Sequence, residues 1–199
     1  MKLIVLEGID GAGTTTQTAR LGDALRARGH VVVLTREPSI GPVGRLLRAM
    51  LGGAEPPSDA TTMALLFAAD RTDHQFREVE PALARGEIVV SDRWYHSSLA
   101  YQGDGEARAF IKLVNGRARR PDLTLFLEVD PEVAARRRAA DERPEELYDA
   151  LDQQIRIARG YREVVAELAK TETIVTIDGT QALGVVAAEV LRHTLAVIA

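Results

Sequence analysis

The sequence predicts an α/β protein in which helices cover both faces of a five-stranded parallel sheet. Five short runs rich in Val, Ile and Leu alternate with longer helical stretches. The runs lack polar alternation, which is typical of parallel strands buried on both faces, and their alternation with helices favours right-handed crossovers. Strands are expected at 3–7, 31–35, 88–91, 123–129 and 173–177, and helices at about 15–28, 42–51, 59–85, 105–118, 131–140, 146–170 and 181–197.

Length and composition fit one ordinary globular domain over residues 1–199. The net charge of −4 argues against nucleic acid as a partner, because general nucleic-acid binders are usually basic. The chain has no cysteine, which excludes disulfides, thiolate metal sites and a cysteine nucleophile. The apolar run from Leu3 to Leu6 is too short for a signal peptide or a membrane span. We therefore expect a cytoplasmic protein without a membrane partner.

Residues 8–15 form a glycine-rich turn between the first predicted strand and the first predicted helix. That is the context of a P-loop, where backbone amides and a helix N-terminus surround a phosphate. The hydroxyl of Thr15 is placed to hold Mg²⁺, and that of Thr16 to bond a nearer phosphate. The turn refines the fold class to a three-layer P-loop NTPase fold. The predicted ATP-binding residues of this segment are Gly8, Gly11, Ala12, Gly13, Thr14, Thr15 and Thr16.

Thr14 stands where a P-loop carries lysine. The lysine contributes a point charge at the β- and γ-phosphates, and threonine keeps only a short donor. Losing one such contact typically removes about 3 kcal/mol of transition-state stabilisation. The substitution leaves open an alternative function, a nucleotide-binding protein that is catalytically weak or inactive.

A second group of polar residues, Ser91-Asp92-Arg93, ends the third strand. Ligands of parallel α/β sheets gather at the carboxyl ends of strands. Asp92 is therefore a candidate Mg²⁺ ligand through water, and Arg93 a candidate partner for phosphate. The alternative is an aspartate that caps the next helix, followed by a surface arginine.

Four segments together resemble bacterial thymidylate kinases, which are P-loop nucleoside monophosphate kinases. They are residues 8–11, 35–38, 66–71 and 92–103, in the order and spacing of that family. The resemblance implies transfer of the ATP γ-phosphoryl group to thymidine monophosphate, a step toward thymidine triphosphate. It also implies Mg²⁺ as cofactor and a homodimer. A kinase of the same architecture with another deoxynucleotide acceptor is the second alternative.

The resemblance assigns an acceptor site to the first half of the chain. Phe67 and Arg71, four residues apart on one helix face, would hold thymine, with Ser98 and Gln102 at its edge. Tyr101 would lie beside the sugar. Without the resemblance, a core aromatic on a mostly apolar helix would be the favoured interpretation of Phe67. The implied acceptor residues are Asp10, Arg36, Glu37, Pro38, Arg48, Phe67, Arg71, Arg93, Ser98, Tyr101 and Gln102.

The arginine-rich segment at about 136–149 is interpreted as a short lid. In the family a lid arginine closes over the donor phosphates, and here Arg143 or Arg137 would do so. The alternative for these arginines is a solvated helix face. Gly179, after the fifth strand, matches a loop that borders adenine in relatives. The predicted catalytic residues are Asp10, Asp92, Arg93, Arg143 and Arg137.

Overall fold

The computed structural model describes residues 2–105, 107–140 and 146–199. Within them, five strands form one all-parallel sheet in the order β2-β3-β1-β4-β5. The strands are β1 Lys2–Glu7, β2 Val32–Arg36, β3 Ile88–Asp92, β4 Leu123–Glu128 and β5 Ile174–Asp178. The α/β fold predicted from the sequence is confirmed, and each strand lies within one residue of its expected bounds.

Helices fill the connections between the strands. They are α1 Thr14–Arg26, α2 Pro42–Leu51, α3 Ala60–His74, α4 Glu80–Ala84, α5 Tyr95–Gln102, α6 Ala107–Val114, α7 Pro131–Ala140, α8 Leu151–Leu168 and α9 Leu183–Ile198. The helix expected at 59–85 is α3 and α4, joined by a π-helical turn at Gln75–Val79. Helix α5 was absent from the predicted set, because its eight residues are too few and too polar for a clear helical period.

Local sequence accounts for several helix ends. The Asp59 side chain caps α3 by accepting from the backbone amides of Thr61 and Thr62 at 2.9 and 3.1 Å. Pro42 opens α2, where its missing N–H is not needed. Gly29, with φ +86°, follows α1 in the left-handed conformation that glycine adopts freely.

The central strand β1 is buried on both faces. Ile4 and Leu6 belong to one apolar cluster, while Leu3 and Val5 belong to another on the opposite face, and all four are fully buried. Successive side chains of a strand point to opposite faces. The two clusters therefore explain the unbroken apolar runs in the sequence.

The sheet register brings the strand ends to one edge. Leu6 of β1 and Arg36 of β2 both pair with Asp92 at the end of β3. The P-loop and the segment after Asp92 consequently leave the sheet side by side. None of the helices in the described ranges is long and apolar enough to cross a membrane.

Candidate active site

The P-loop occupies the turn between β1 and α1. Gly11 and Gly13 have φ values of +87° and +93°, which favour glycine, and a Cβ on Gly11 would lie 2.4 Å from the Ala134 carbonyl oxygen. Gly13 caps α1 without a side-chain hydrogen bond. The first backbone N–H groups of α1 therefore donate to no capping side chain. The glycines give the backbone path of an anion cradle.

A cavity of about 540 Å³ lies in front of this cradle. We call it the nucleotide cavity. The P-loop residues that line it are Asp10, Gly11, Gly13, Thr14, Thr15 and Thr16. Its other lining residues are Arg36, Glu37, Pro38, Arg48, Leu51, Asp92, Arg93, Arg138 and Glu146.

Thr15 and Asp92 meet at the base of the cavity. The Thr15 hydroxyl donates to Asp92 Oδ2 at 2.5 Å, and Asp92 Oδ1 is buried without a hydrogen-bond partner. A buried oxygen without a partner needs an explanation. A hydroxyl and a carboxylate are oxygen ligands of the kind that Mg²⁺ uses together with phosphate and water. The pair therefore fits the predicted metal site.

Arg93 is a partly buried cation that lines both cavities. Its φ of +76° is unusual for a residue other than glycine. Its guanidinium donates to the Gly8 carbonyl at 2.8 Å, the Tyr161 hydroxyl at 3.1 Å and Asp10 Oδ1 at 2.6 Å. Burial opposes its charge, but Tyr101 and Asp10 hold the pKa of Arg93 well above its usual value. Arg93 is therefore a fixed cation.

The Asp10 carboxylate contacts two helices on the side of the site away from α1. Its Oδ2 accepts from the Tyr101 hydroxyl of α5 and from Gln154 Nε2 of α8, both at 3.0 Å. Its Oδ1 is paired with Arg93. These contacts hold the negative charge among α5, α8 and Arg93.

A second cavity, the acceptor cavity, lies between α3 and α5. The residues that it shares with the nucleotide cavity are Asp10, Glu37, Pro38, Leu51, Arg93 and Glu146. Its other lining residues include Phe67, Arg71, Trp94, Ser97, Ser98, Tyr101, Gln102 and Tyr148. The structure thus brings together nearly all the predicted acceptor residues, while Arg36 and Arg48 line the nucleotide cavity.

Gln102 and Phe67 face the acceptor cavity from α5 and α3. Both amide atoms of Gln102 are buried without a hydrogen-bond partner. Such an amide is free to bond the edge of a planar ligand. Phe67 is half-buried and belongs to neither apolar cluster found in the described chain. This placement favours a wall of the cavity over a core aromatic.

Arg71 is held by a buried ion pair that the sequence motifs did not reveal. Its Nη2 lies 2.6 Å from Glu37 Oε2, and its Nη1 donates to Ser98 at 3.2 Å and to Asn115. Glu37 in turn lies 3.3 Å from Nδ1 of the buried His74. His74 follows Arg71 by three residues on α3, a spacing that places both on one face. Asn115 gave no signal in the sequence.

His74 carries the charge that balances Glu37. Burial alone would lower its pKa, but hydrogen bonds to Glu37 and Glu78 raise it to about 9. Its Nε2 also lies 2.7 Å from the Thr35 hydroxyl. The imidazolium therefore fixes Glu37, and Glu37 fixes Arg71.

Glu7 organises the other end of the acceptor cavity and was also missed by the sequence motifs. Its carboxylate accepts from the Trp94 amide at 2.7 Å, the Ser97 hydroxyl at 2.7 Å and the Tyr161 hydroxyl at 2.8 Å. Burial opposes its charge, but the neighbouring His96 lowers the pKa of Glu7. The carboxylate ties the end of β1 to the start of α5.

The arginines of α7 take different positions. Arg137 donates to the Gly179 carbonyl at 3.0 Å, beside the loop predicted to border adenine. Arg138, which the sequence did not single out, is buried and lines the nucleotide cavity. The other predicted lid arginine, Arg143, lies outside the described residues. The choice between Arg137 and Arg143 stays a prediction.

Comparison with known proteins gives a consistent family. A family model described as thymidylate kinase matches residues 6–190. A probable thymidylate kinase of Pyrobaculum calidifontis is 43% identical over 192 residues, covering 94% of this chain and 93% of its own length. A thymidylate kinase of Ruegeria pomeroyi is 39% identical over 201 residues, covering 96% and 93%. The similarity spans both cavities.

Proposed function

This chain belongs to the thymidylate kinase family, and from that premise we propose that it transfers the γ-phosphoryl group of ATP to thymidine monophosphate, giving thymidine diphosphate. The observation that carries the proposal is the pair of cavities joined at Asp10 and Arg93. One cavity begins at an anion cradle and the other ends at polar groups suited to a base. Two phosphate-bearing ligands would meet where the cavities join.

The P-loop side would hold the donor. Amides of residues 8–15 and the N-terminus of α1 would bind the ATP phosphates, with the hydroxyls of Thr15 and Thr16 beside them. Thr15 and Asp92 would hold Mg²⁺, which neutralises charge on the phosphates when bound. Gly179 and Arg137, joined by a hydrogen bond, would border adenine.

The acceptor phosphate would lie at Arg93. An oxygen of the acceptor phosphate would attack the γ-phosphorus in line while the bond to the β,γ-bridging oxygen breaks and ADP leaves, so no side chain is needed as nucleophile. Arg93 is held from several sides, and its charge is in place before substrate binds. Arg36 and Arg48, which line the same cavity, would add positive charge around the transferred group.

The acceptor cavity would select thymine. Arg71, with its guanidinium fixed by Glu37, would donate to a ring carbonyl, and the unpaired amide of Gln102 would bond the base edge. Ser98 would support Arg71, and Phe67 would contact the ring face. Tyr101, bonded to Asp10, would lie at the sugar and disfavour a 2′-hydroxyl.

The oligomeric state, location and domain organisation belong to the same proposal. We expect a cytoplasmic homodimer of one domain with a short lid at about 136–149. Support for the dimer comes from exposed apolar side chains on adjoining helices: Leu46 of α2, Leu65 of α3, Phe76 of the π-helical turn and Leu113 of α6. Exposed apolar side chains of this size on neighbouring helices are a common feature of subunit contacts.

The experiment that tests the acceptor is ADP release with Mg-ATP and a panel of monophosphates. Thymidine monophosphate should support turnover at least about a hundredfold faster than deoxycytidine or deoxyguanosine monophosphate, because their base edges would leave polar groups of the cavity unpaired. Uridine monophosphate presents the same base edge as thymine, and its 2′-hydroxyl at Tyr101 should make it the slower acceptor. Equal rates with another deoxynucleotide would favour the kinase of different specificity. Nucleotide binding without turnover on any acceptor would favour the inactive relative.

A further inference from the structure

The P-loop cradle carries no cation of its own. Thr14 occupies the position of the usual lysine and its side chain is largely buried. We propose that Arg138 of α7 supplies, at the nucleotide cavity, the positive charge for the β- and γ-phosphates that Thr14 lacks. The inference rests on the proposed function, since it concerns the donor nucleotide.

The contacts of Arg138 attach it to the P-loop itself. Its Nη1 donates to the backbone carbonyl of Asp10, one residue before Gly11. Its Nη2 donates to the Asp149 carbonyl at 3.1 Å, and its Nε lies 3.2 Å from Asp149 Oδ1. The side chain is 9% exposed. A long side chain held at three points has little conformational freedom left to lose when a ligand binds.

The packing of α7 fixes where this arginine lies. A Cβ on Gly11 would lie 2.4 Å from the Ala134 carbonyl oxygen and 3.0 Å from Arg138 Cγ. Helix α7 therefore lies directly against the P-loop, and Arg138 is one turn beyond Ala134 on the same face. Arg136, two residues earlier, is exposed on another side of the helix.

The other arginines that line the nucleotide cavity approach it from other elements. Arg93 is bonded to the Asp10 carboxylate and faces both cavities. Arg48 donates to the Pro38 carbonyl, and Arg36 ends β2, so both stand on the side of the second strand and its loop. Arg93 contacts the P-loop backbone at the Gly8 carbonyl from the segment after β3, whereas Arg138 contacts it at the Asp10 carbonyl from α7.

Arg138 also retains capacity for a ligand. A guanidinium has five N–H donors, and the two hydrogen bonds described use one N–H of each terminal nitrogen. The second N–H of each terminal nitrogen is left for a phosphate oxygen. Asp149 offsets part of the charge and keeps the planar fork in one orientation, which suits bidentate binding of phosphate.

A purely structural role is the competing interpretation, in which Arg138 only ties α7 to the P-loop. The two interpretations differ in what Thr14→Lys does. If Arg138 replaces the missing lysine, a lysine at position 14 should matter most when Arg138 is absent. If Arg138 only holds α7 against the P-loop, the two substitutions should change nucleotide affinity independently of each other.

The test is a double-mutant cycle on nucleotide affinity, measured by calorimetry with Mg²⁺ and a non-hydrolysable ATP analogue. Arg138→Met should weaken binding at least about tenfold, the effect of a lost charged hydrogen bond. Thr14→Lys should recover about tenfold or more in the Arg138→Met protein, and less than about threefold in the wild type. AMP, which lacks both outer phosphates, should lose less than about threefold with Arg138→Met.

Arg136→Met is the matched control, since it removes the same charge from the exposed face of the same helix, and it should leave affinity unchanged. The proposal would be overturned if Thr14→Lys raised affinity equally in the wild type and in Arg138→Met. It would also be overturned if Arg138→Met weakened the binding of AMP and of the triphosphate analogue by the same factor. If Arg138→Met does not fold, Thr14→Lys in the wild type decides the question. A tenfold or larger gain in affinity for the ATP analogue would then be enough to overturn the proposal, and a gain below threefold would support it. Failure to phosphorylate thymidine monophosphate would contradict the proposed function. It would leave the double-mutant cycle interpretable, because the cycle measures nucleotide affinity and not turnover.

Discussion

At the scale of single residues, the acceptor cavity depends on side chains that never touch its contents. His74 and Asn115 hold Glu37 and Arg71, and Glu7 holds the segment that carries Arg93 through Ser97 and Tyr161. Each is a buried polar group whose partners lie more than thirty positions away or on another element. The P-loop pattern and the resemblance to the family predicted the residues that face the cavities. They could not predict these supporting pairs, because the pairs form only once the elements pack.

The charge of His74 gives a pH-dependent contribution to stability. Its pKa is raised from an ordinary 6.5 to about 9 by Glu37 and Glu78, against the effect of burial. The native state therefore binds the proton more tightly than the unfolded chain. The contribution is full below about pH 6.5 and is lost as pH rises through about 9.

The free energy of unfolding should therefore fall between pH 6.5 and 9, with a slope from this group of at most about 1.4 kcal/mol per pH unit. Urea denaturation of the wild type and of His74→Gln, at several pH values, measures the difference. The slope should be shallower in the variant, which has no proton to lose. Parallel curves for the two proteins would show that His74 is not charged in the folded state.

At the scale of elements, the turn between β1 and α1 is predictable because glycine is required by its backbone. Gly11 combines a φ of +87° with packing against α7 that leaves no room for a Cβ, which would lie 2.4 Å from the Ala134 carbonyl oxygen. The rotation of α7 was not predictable. Arg136, Arg137 and Arg138 are consecutive, and only the packing of Ala134 against Gly11 decides which one faces the nucleotide cavity.

Gly11→Ala should damage both stability and nucleotide binding. The added Cβ would overlap the Ala134 carbonyl oxygen in a conformation that alanine rarely adopts, so a loss of about 2 kcal/mol or more of unfolding free energy is expected. Gly184→Ala is the control, because this α9 glycine has open space around its Cβ position, and it should stabilise by about 0.5–1 kcal/mol. Thermal unfolding with and without ATP measures both variants; equal effects would contradict the close packing of α7.

At the scale of the whole molecule, the sheet explains why two distant motifs form one site. The apolar runs indicated five buried parallel strands, and pairing in the order β2-β3-β1-β4-β5 places Arg36, Glu7 and Asp92 at the same edge. Strand order was not readable from the runs themselves. Helix α5 was missed for a related reason. Its short polar sequence has no clear helical periodicity, and the helix is stabilised by packing on α8, α6 and α3.

The central claim is that this family member is an active enzyme although Thr14 replaces the P-loop lysine. The most direct measurement is mass-spectrometric detection of thymidine diphosphate formed from Mg-ATP and thymidine monophosphate, with ADP followed in parallel. We expect one thymidine diphosphate for each ADP, and at least about a hundredfold less ADP without the acceptor, since water is a poor substitute for a bound phosphate. ADP release that does not depend on thymidine monophosphate, or no product despite tight ATP binding, would contradict the account.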